Sequence, residues 1–129
     1  MKTKGFKILF ALMLLPAWAF CQKAYEAIQY KGAVQNLIVK LTLANGYIGA
    51  SELLTINKKT GTRKKFLPEK GYADDSGKLK FIHYTPAGKL LVNYFILSGM
   101  EESYAGIPNK ILGEYVRNRV SYPVKFYKF

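Results

Sequence analysis

Apolar and polar side chains alternate along the stretch from Leu37 to Leu43, in which every odd position is apolar. A period of two residues is typical of a β-strand that is buried on one face. Four side chains should therefore face the core: Leu37, Val39, Leu41 and Leu43. Asn45-Gly46 follows, and this dipeptide favours a type I′ turn of two residues. The pattern predicts a hairpin in which Tyr47 to Ile56 runs back beside the first strand.

The rest of the chain after residue 21 contains further short stretches of this kind, each bounded by turn-forming residues. Together with the two strands above they bring the expected number to eight: Tyr25 to Lys31, Thr62 to Leu67, Lys78 to Tyr84, Leu90 to Leu97, Lys110 to Arg117 and Val120 to Lys128. Sequential strands joined by short connections predict an all-β, antiparallel up-and-down sheet. An even number of strands lets the first meet the last, so we expect an eight-stranded β-barrel. A two-sheet β-sandwich is the alternative architecture.

Residues 1–21 show the order of features found in a secretory signal peptide. Three lysines come first: Lys2, Lys4 and Lys7. An unbroken apolar run from Ile8 to Leu15 follows, and Ala17-Trp18-Ala19 supplies the small residues of a cleavage site. The apolar run is shorter than the roughly 20 residues that a helix needs to cross a bilayer. We therefore expect an exported protein, periplasmic or secreted, without a transmembrane segment and with a single domain over residues 22–129.

The cleavage site can be placed in two ways, after Ala19 or after Cys21. A third interpretation makes Cys21 a lipid-modified N-terminus, but Phe20 and Trp18 stand where that signal wants a small and an aliphatic residue. Cys21 is the only cysteine in the chain, so a domain that begins at Gln22 contains no disulfide. Such a domain must be stabilised by its own core.

The predicted mature domain is strongly basic. The chain has 20 Lys and Arg against 8 Asp and Glu, and removing the three lysines of the signal peptide leaves 17 basic residues and a net charge of +9. An excess of this size attracts anionic envelope polymers such as lipopolysaccharide or acidic glycans. The same charge also keeps an exposed β protein soluble. Export makes a specific nucleic-acid partner unexpected.

Five of the basic residues lie around one expected hairpin, which we call the basic hairpin: Lys58, Lys59, Arg63, Lys64 and Lys65. Clustered cations of this kind can bind an anionic polymer. Lysines on a hairpin can also serve only to prevent pairing between strand edges. The sequence leaves both interpretations open.

Motifs along the whole predicted domain resemble those of a known group of proteins. They are Tyr30-Lys31-Gly32, Ile38 to Leu43, Tyr47 to Ala50, Leu112 to Tyr115 and Tyr122 to Phe126. In this order they resemble small exported β-sheet proteins of Bacteroidota whose function is unknown. In strand count and size the chain is also similar to the calycins, which include lipocalins and avidins. The likeness to calycins implies a barrel that can hold a small ligand.

The interior of an eight-stranded barrel is just wide enough to be filled by side chains or to hold one small ligand. The candidate ligand-binding residues are the only histidine and three of the ten tyrosines: His83, Tyr84, Tyr94 and Tyr115. His83 is in phase with Leu79 and Phe81, so we expect it on the core side of its strand. Tyrosine rings can stack on sugars or line an amphipathic cavity.

No pattern in the chain points to a particular reaction. A single histidine cannot build a His-rich zinc site, and no HExxH or CxxC spacing occurs. The only paired carboxylates, Asp74-Asp75 and Glu101-Glu102, are sequence neighbours, whereas a glycosidase needs two carboxyl groups that converge on one bond. We therefore expect no enzymatic activity, no metal and no cofactor.

Three functions follow from these observations. The first is a non-catalytic exported barrel that binds a small, partly apolar ligand or a component of the cell envelope. The second is a basic interaction protein that contacts an anionic glycan, lipopolysaccharide or a partner protein. The third, a small hydrolase, would have to depend on His83.

Overall fold

The computed structural model describes residues 25–129, apart from the side chains of residues 89–91, and this part of the chain forms a closed eight-stranded β-barrel. The predicted signal peptide, including Cys21 and both candidate cleavage sites, lies outside the described residues. The strands are β1 (Glu26–Val34), β2 (Leu37–Asn45), β3 (Glu52–Asn57), β4 (Arg63–Pro68), β5 (Leu79–Thr85), β6 (Gly88–Leu97), β7 (Lys110–Arg117) and β8 (Val120–Lys128). Within residues 25–129 the only helical element is a 3₁₀ turn, Ile48–Ala50. The prediction of an all-β fold is confirmed.

The sheet closes on itself in the order predicted from the sequence. Each strand pairs antiparallel with the next, and β8 pairs with β1 through Tyr30 opposite Lys128 and Lys31 opposite Tyr127. Closure removes the free edges that an open sheet would present to other chains. The up-and-down barrel is therefore confirmed, and the alternative of a two-sheet sandwich is wrong.

The alternating pattern of β2 separates the inside of the barrel from the outside. Val39, Leu41 and Leu43 are fully buried, whereas Lys40 is exposed. Leu37 is half-buried and packs against the core. Full burial of one such aliphatic side chain stabilises a fold by about 1.5–3 kcal/mol. The predicted core face of β2 is confirmed.

The connection between β2 and β3 differs from the predicted hairpin. β2 pairs with β1 as far as Asn45, but with β3 only as far as Thr42. The residues that follow form the 3₁₀ turn, in which Ile48 is fully buried, and the backbone N–H of Gly46 donates a hydrogen bond of 2.8 Å to the carbonyl of Glu102. A two-residue turn at Asn45-Gly46 and a strand that begins at Tyr47 are therefore wrong, because these tertiary contacts outweigh the local preference for a tight turn.

Two-residue turns occur at the other end of the barrel. They are Gln35-Asn36, Pro86-Ala87 and Asn118-Arg119. Asn118 and Arg119 have φ angles of 51° and 66°, and a type I′ turn requires φ > 0 at both central positions. The connection between β3 and β4 lies at this end as well, because alternate connections of an up-and-down barrel share one end. We call it the turn end.

The opposite end of the barrel carries the longer connections, and we call it the loop end. These connections span residues 46–51, 69–78 and 98–109. Ile48 and Met100 extend from them into the hydrophobic core and are buried. The core is therefore covered at the loop end.

Candidate ligand-binding cavity

The turn end of the barrel opens into a cavity of about 400 Å³. Strands β2 to β7 and the adjoining turns supply its walls. The side chains that give it its chemical character are Lys64, Phe66, His83, Asn93, Tyr115 and Arg117. Volumes of about 300–1,000 Å³ are usual for sites that hold small molecules. The cavity is thus large enough for a small ligand.

The period of two in the strands explains why these side chains meet. Phe66 is buried in the core, so Lys64, two residues earlier on β4, also lies on the inner face. On β7 the same relation holds between Tyr115, which is buried, and Arg117, which lies closer to the turn. Each strand therefore changes from apolar to polar on its inner face as it approaches the turn end.

Three aromatic rings, those of Phe66, His83 and Tyr115, form the floor of the cavity, and Phe95 is buried beneath them. The ring centroids of Phe95 and Tyr115 are 4.7 Å apart in a stacked arrangement, and those of Phe66 and Phe95 are 5.1 Å apart edge to face. The His83 ring lies 5.5 Å from the Phe66 ring. Contacts of these two geometries are favourable for aromatic pairs, so they hold the floor in a defined shape.

Tyr115 brings a neutral polar group to this floor. Burial raises the pKa of its hydroxyl, and the positive charge of Arg117 opposes that effect only in part. The hydroxyl has no hydrogen-bond partner among residues 25–129 and can both donate and accept. A ligand could therefore either donate a hydrogen bond to this hydroxyl or accept one from it.

His83 is half-buried, and one of its ring nitrogens is already engaged. Nδ1 lies 2.9 Å from the backbone carbonyl oxygen of Lys65. A carbonyl oxygen only accepts, so Nδ1 must carry the proton of this hydrogen bond. Nε2 has no partner within the described part of the chain and remains free to interact with a ligand. The prediction that His83 faces the inside of the barrel is confirmed, despite a β-bulge between Ile82 and His83.

The charged groups that line the cavity are positive. Lys64 and Arg117 contribute cations, and none of the described lining residues is an aspartate or a glutamate. The Arg117 guanidinium donates a hydrogen bond of 3.3 Å to Gln35 Oε1, which is a neutral partner. Among the described residues, one salt bridge is formed: Lys65 Nζ lies 3.2 Å from Glu52 Oε2. Lys64 takes no part in it. The mouth of the cavity therefore carries uncompensated positive charge.

Asn93 is the one described residue with a buried side-chain oxygen that has no hydrogen-bond partner. Asn93 lies opposite Arg117 in the β6–β7 ladder and lines the cavity. An unsatisfied buried acceptor costs about 1–3 kcal/mol. The oxygen is shielded from the cavity in this side-chain orientation, so a ligand that donates a hydrogen bond would satisfy it only after the amide rotates towards the cavity.

The structure separates the four residues predicted to bind a ligand. His83 and Tyr115 line the cavity. Tyr84 is 43% exposed and is not part of the lining. Tyr94 points away from the cavity, because its ring lies under the Lys80 ammonium on the outer face, 4.2 Å from Nζ to the ring centroid. Only two of the four predicted residues therefore share the cavity.

The basic hairpin is divided in the same way. Lys64 lines the cavity, whereas its neighbour Lys65 faces outward and pairs with Glu52. Lys58 borders a separate groove on the outer wall, formed by β1, β2 and β8. Lys59 and Arg63 are exposed and line neither concavity. These five cations do not form one continuous surface.

Of the six side chains that give the cavity its chemical character, three were not predicted from the sequence: Phe66, Asn93 and Arg117. The period of two could have identified Asn93 from the apolar Phe95 and Arg117 from Tyr115. No sequence signal shows that strands as distant in the chain as β4 and β7 enclose the same space. That information is present only in the closed barrel.

The function is not indicated further by a metal site, a membrane-spanning helix or a similarity to known proteins. In residues 25–129 no group of three or more His, Cys, Asp or Glu side chains is arranged to hold a metal ion. No helix in that part of the chain has the length and apolar character needed to cross a membrane. No known protein family matches the chain, and no curated protein or solved structure is detectably similar to it.

Proposed function

We propose that this protein is a non-catalytic binding barrel that holds one small molecule in the cavity at its turn end. The observation that carries the proposal is the difference between the inner faces of the two ends. At the loop end the core is filled by Ile48 and Met100, whereas the turn end leaves about 400 Å³ between polar walls and an aromatic floor. Small-molecule sites combine an apolar surface with convergent polar groups, and in this cavity polar residues make up most of the lining.

The composition of the lining supports binding over catalysis. A hydrolase needs a nucleophile or an activated water beside a general base. Among the described lining residues, His83 is of the type that most often acts as a general base, and its Nδ1 bonds a backbone carbonyl rather than a carboxylate. Serine, cysteine and carboxylate side chains do not occur among the described lining residues, and the threonine hydroxyls there bond other groups than His83: Thr55 donates to the carbonyl of Lys64, and Thr60 donates to Thr62. These residues can position a molecule without transforming it.

Export is part of the same proposal. The signal-peptide pattern of residues 1–21 supports a role in the periplasm or outside the cell, where the barrel would bind a ligand from the surrounding fluid. Intact mass of protein recovered from the periplasm or the medium tests this step. Cleavage after Ala19 or Cys21 would support export, and full-length protein confined to the cytoplasm would contradict it.

Filling the cavity tests the binding proposal. Thr62 lines the cavity near its mouth, so Thr62→Trp should occupy part of the space while leaving the core intact. Val120→Trp is the matched control, because Val120 lies at the turn end but is 50% exposed and outside the lining. We expect molecules that copurify with the wild-type protein and the Val120 variant, detected by mass spectrometry, to be absent from the Thr62 variant. Equal retention by all three proteins would contradict binding in this cavity.

A further inference from the structure

We propose that the ligand of this cavity is a small organic anion that also carries a hydroxyl or another hydrogen-bond donor. This inference rests on the proposed function, since it names the chemical class that the cavity would bind. It depends on three separate properties of the walls: the sign of their charge, an unpaired acceptor and an apolar surface between them.

The first property is the placement of two cations on the inner face. Lys64 lies on β4 and Arg117 on β7, so β5 and β6 separate them and the two charges face the cavity from different sides. Lys65, the neighbouring residue on the outer face of β4, has a carboxylate partner, whereas Lys64 has none in the part of the chain that the structure describes. Cations in a concave site attract anions more strongly than cations on a flat surface, because the low-dielectric protein around the site concentrates the field.

The second property is the buried Asn93 Oδ1, which accepts no hydrogen bond from residues 25–129. An amide oxygen can be satisfied only by a donor. An anionic group is an acceptor and would not satisfy it. A ligand that brings a hydroxyl or an N–H group in addition to its charge would satisfy this oxygen once the Asn93 amide rotates towards the cavity.

The third property is the apolar surface between these polar groups. Leu37, Phe66 and Tyr115 line the cavity, and Tyr115 is stacked on Phe95 below it. A bare inorganic ion would leave this surface in contact with water. A carbon skeleton would cover it, and apolar area removed from water stabilises a complex. The three properties together favour a hydroxylated organic acid or organic phosphate.

Two matched sets of probes distinguish this class from others. The first set is 4-hydroxybenzoate, 4-hydroxybenzyl alcohol, benzoate and 4-hydroxyphenyl phosphate. The second is glucuronate, glucose and glucose 6-phosphate. Isothermal titration of the protein, residues 22–129, with each probe measures affinity, and the carboxylate and phosphate members separate the two sources of negative charge. We expect hydroxylated anions of at least one set to bind roughly tenfold or more tightly than their neutral counterparts. Within the first set, 4-hydroxybenzoate should also bind more tightly than benzoate.

Two single substitutions one residue apart test the role of the cavity charge. Lys64→Gln should weaken binding of the anions roughly tenfold and leave binding of the neutral probes nearly unchanged. Lys65→Gln is the matched control, because it removes the same charge from the outer face, and it should have little effect.

A third substitution tests the role of the buried acceptor. Asn93→Leu should remove the preference for 4-hydroxybenzoate over benzoate while preserving the preference for anions.

The possible outcomes separate this inference from the proposed function. Anion binding that depends on Lys64 and not on Lys65 supports both. Binding of the neutral probes at the same affinity as the anions, or equal effects of the two lysine substitutions, would overturn the anion inference and leave a small-molecule barrel. If no probe of either set binds and no molecule copurifies with the wild-type protein, the proposed function fails and the inference fails with it.

Discussion

The two ends of the barrel differ in how the chain connects its strands, and this difference decides which end can bind. At the loop end, connections of 46–51, 69–78 and 98–109 are long enough to fold over the core. At the turn end, two-residue turns such as Gln35-Asn36 and Asn118-Arg119 only reverse the chain. A short turn can supply side chains to the rim of the cavity, as Gln35 and Asn36 do, but it is too short to fold across the opening. The same sheet is therefore closed at one end and open at the other.

The loop end is also held by hydrogen bonds that reach far along the chain. The Tyr30 hydroxyl donates to the carbonyl of Pro108 at 2.6 Å. The Tyr104 backbone N–H donates to Asn45 Oδ1 at 2.7 Å, and the Tyr104 hydroxyl donates to the carbonyl of Gly99 at 3.0 Å. Each bond ties the 98–109 connection to a strand or to itself. At the turn end, by contrast, Asn93, His83 and Tyr115 keep polar atoms without partners in the described chain. Stability and binding capacity thus belong to different ends.

The largest expected effect comes from removing the cover of the loop end. Ile48 is fully buried, so Ile48→Ala should lower the free energy of unfolding by about 2–4 kcal/mol through lost burial and a new cavity. Leu37→Ala at the turn end should cost under about 1.5 kcal/mol, because Leu37 is only half-buried. Urea denaturation followed by circular dichroism measures both. Equal losses would contradict the idea that the loop end carries the greater share of stability.

A close backbone contact at the loop end should produce the next largest effect. A Cβ atom on Gly49 would lie 2.8 Å from the carbonyl oxygen of Gly71. Gly49→Ala should therefore destabilise the barrel by about 1–3 kcal/mol, since the neighbouring atoms all belong to the backbone of Gly71 and cannot rotate aside as a side chain could. Gly106→Ala is the control, because a Cβ there meets nothing within 4 Å, and its effect should stay within about 0.5 kcal/mol. Similar thermal midpoints for the two variants would show that the 49–71 contact is not tight.

At the turn end, one substitution is expected to raise the free energy of unfolding instead of lowering it. Asn93→Leu replaces an unpaired buried acceptor with an apolar side chain of similar size and should raise the free energy of unfolding by about 1 kcal/mol. Asn57→Leu should instead lower it by a similar amount, because Asn57 Oδ1 accepts hydrogen bonds from the backbone N–H groups of Lys59 and Thr60. Chemical denaturation in the absence of ligand compares them. A loss of stability in the Asn93 variant would mean that this asparagine stabilises the barrel and is not kept for a ligand.

The smallest expected effect is a dependence of stability on alkaline pH. Burial raises the pKa of the Tyr30 and Tyr104 hydroxyls above the ordinary value of 10.0. Because the folded barrel holds these protons more tightly than the unfolded chain, this contribution is complete below about pH 10 and is lost as the pH rises through the folded pKa values. Denaturation midpoints measured from pH 8 to pH 11 should fall at the upper end, and Tyr30→Phe should reduce the slope. A midpoint independent of pH in this range would contradict the prediction.

The amino-acid sequence by itself determined the class of fold and most of its strands. The alternation in β2 and the bounds of β7 and β8 follow from local patterns, because a strand with one buried face needs a period of two. The inward orientation of His83 was predictable for the same reason, since it depends on phase within one strand.

Only the tertiary structure decided where the barrel is open and which side chains meet there. The Asn45-Gly46 preference for a tight turn was overruled by the burial of Ile48 and by the hydrogen bond from Gly46 to Glu102, a residue remote in the chain. The grouping of Lys64 with Arg117, and the exclusion of Tyr94 and Lys65, follow from strand order around the closed sheet. Local patterns fix the face on which a side chain lies. The distance between strands far apart in sequence depends on closure, and closure is a property of the whole chain.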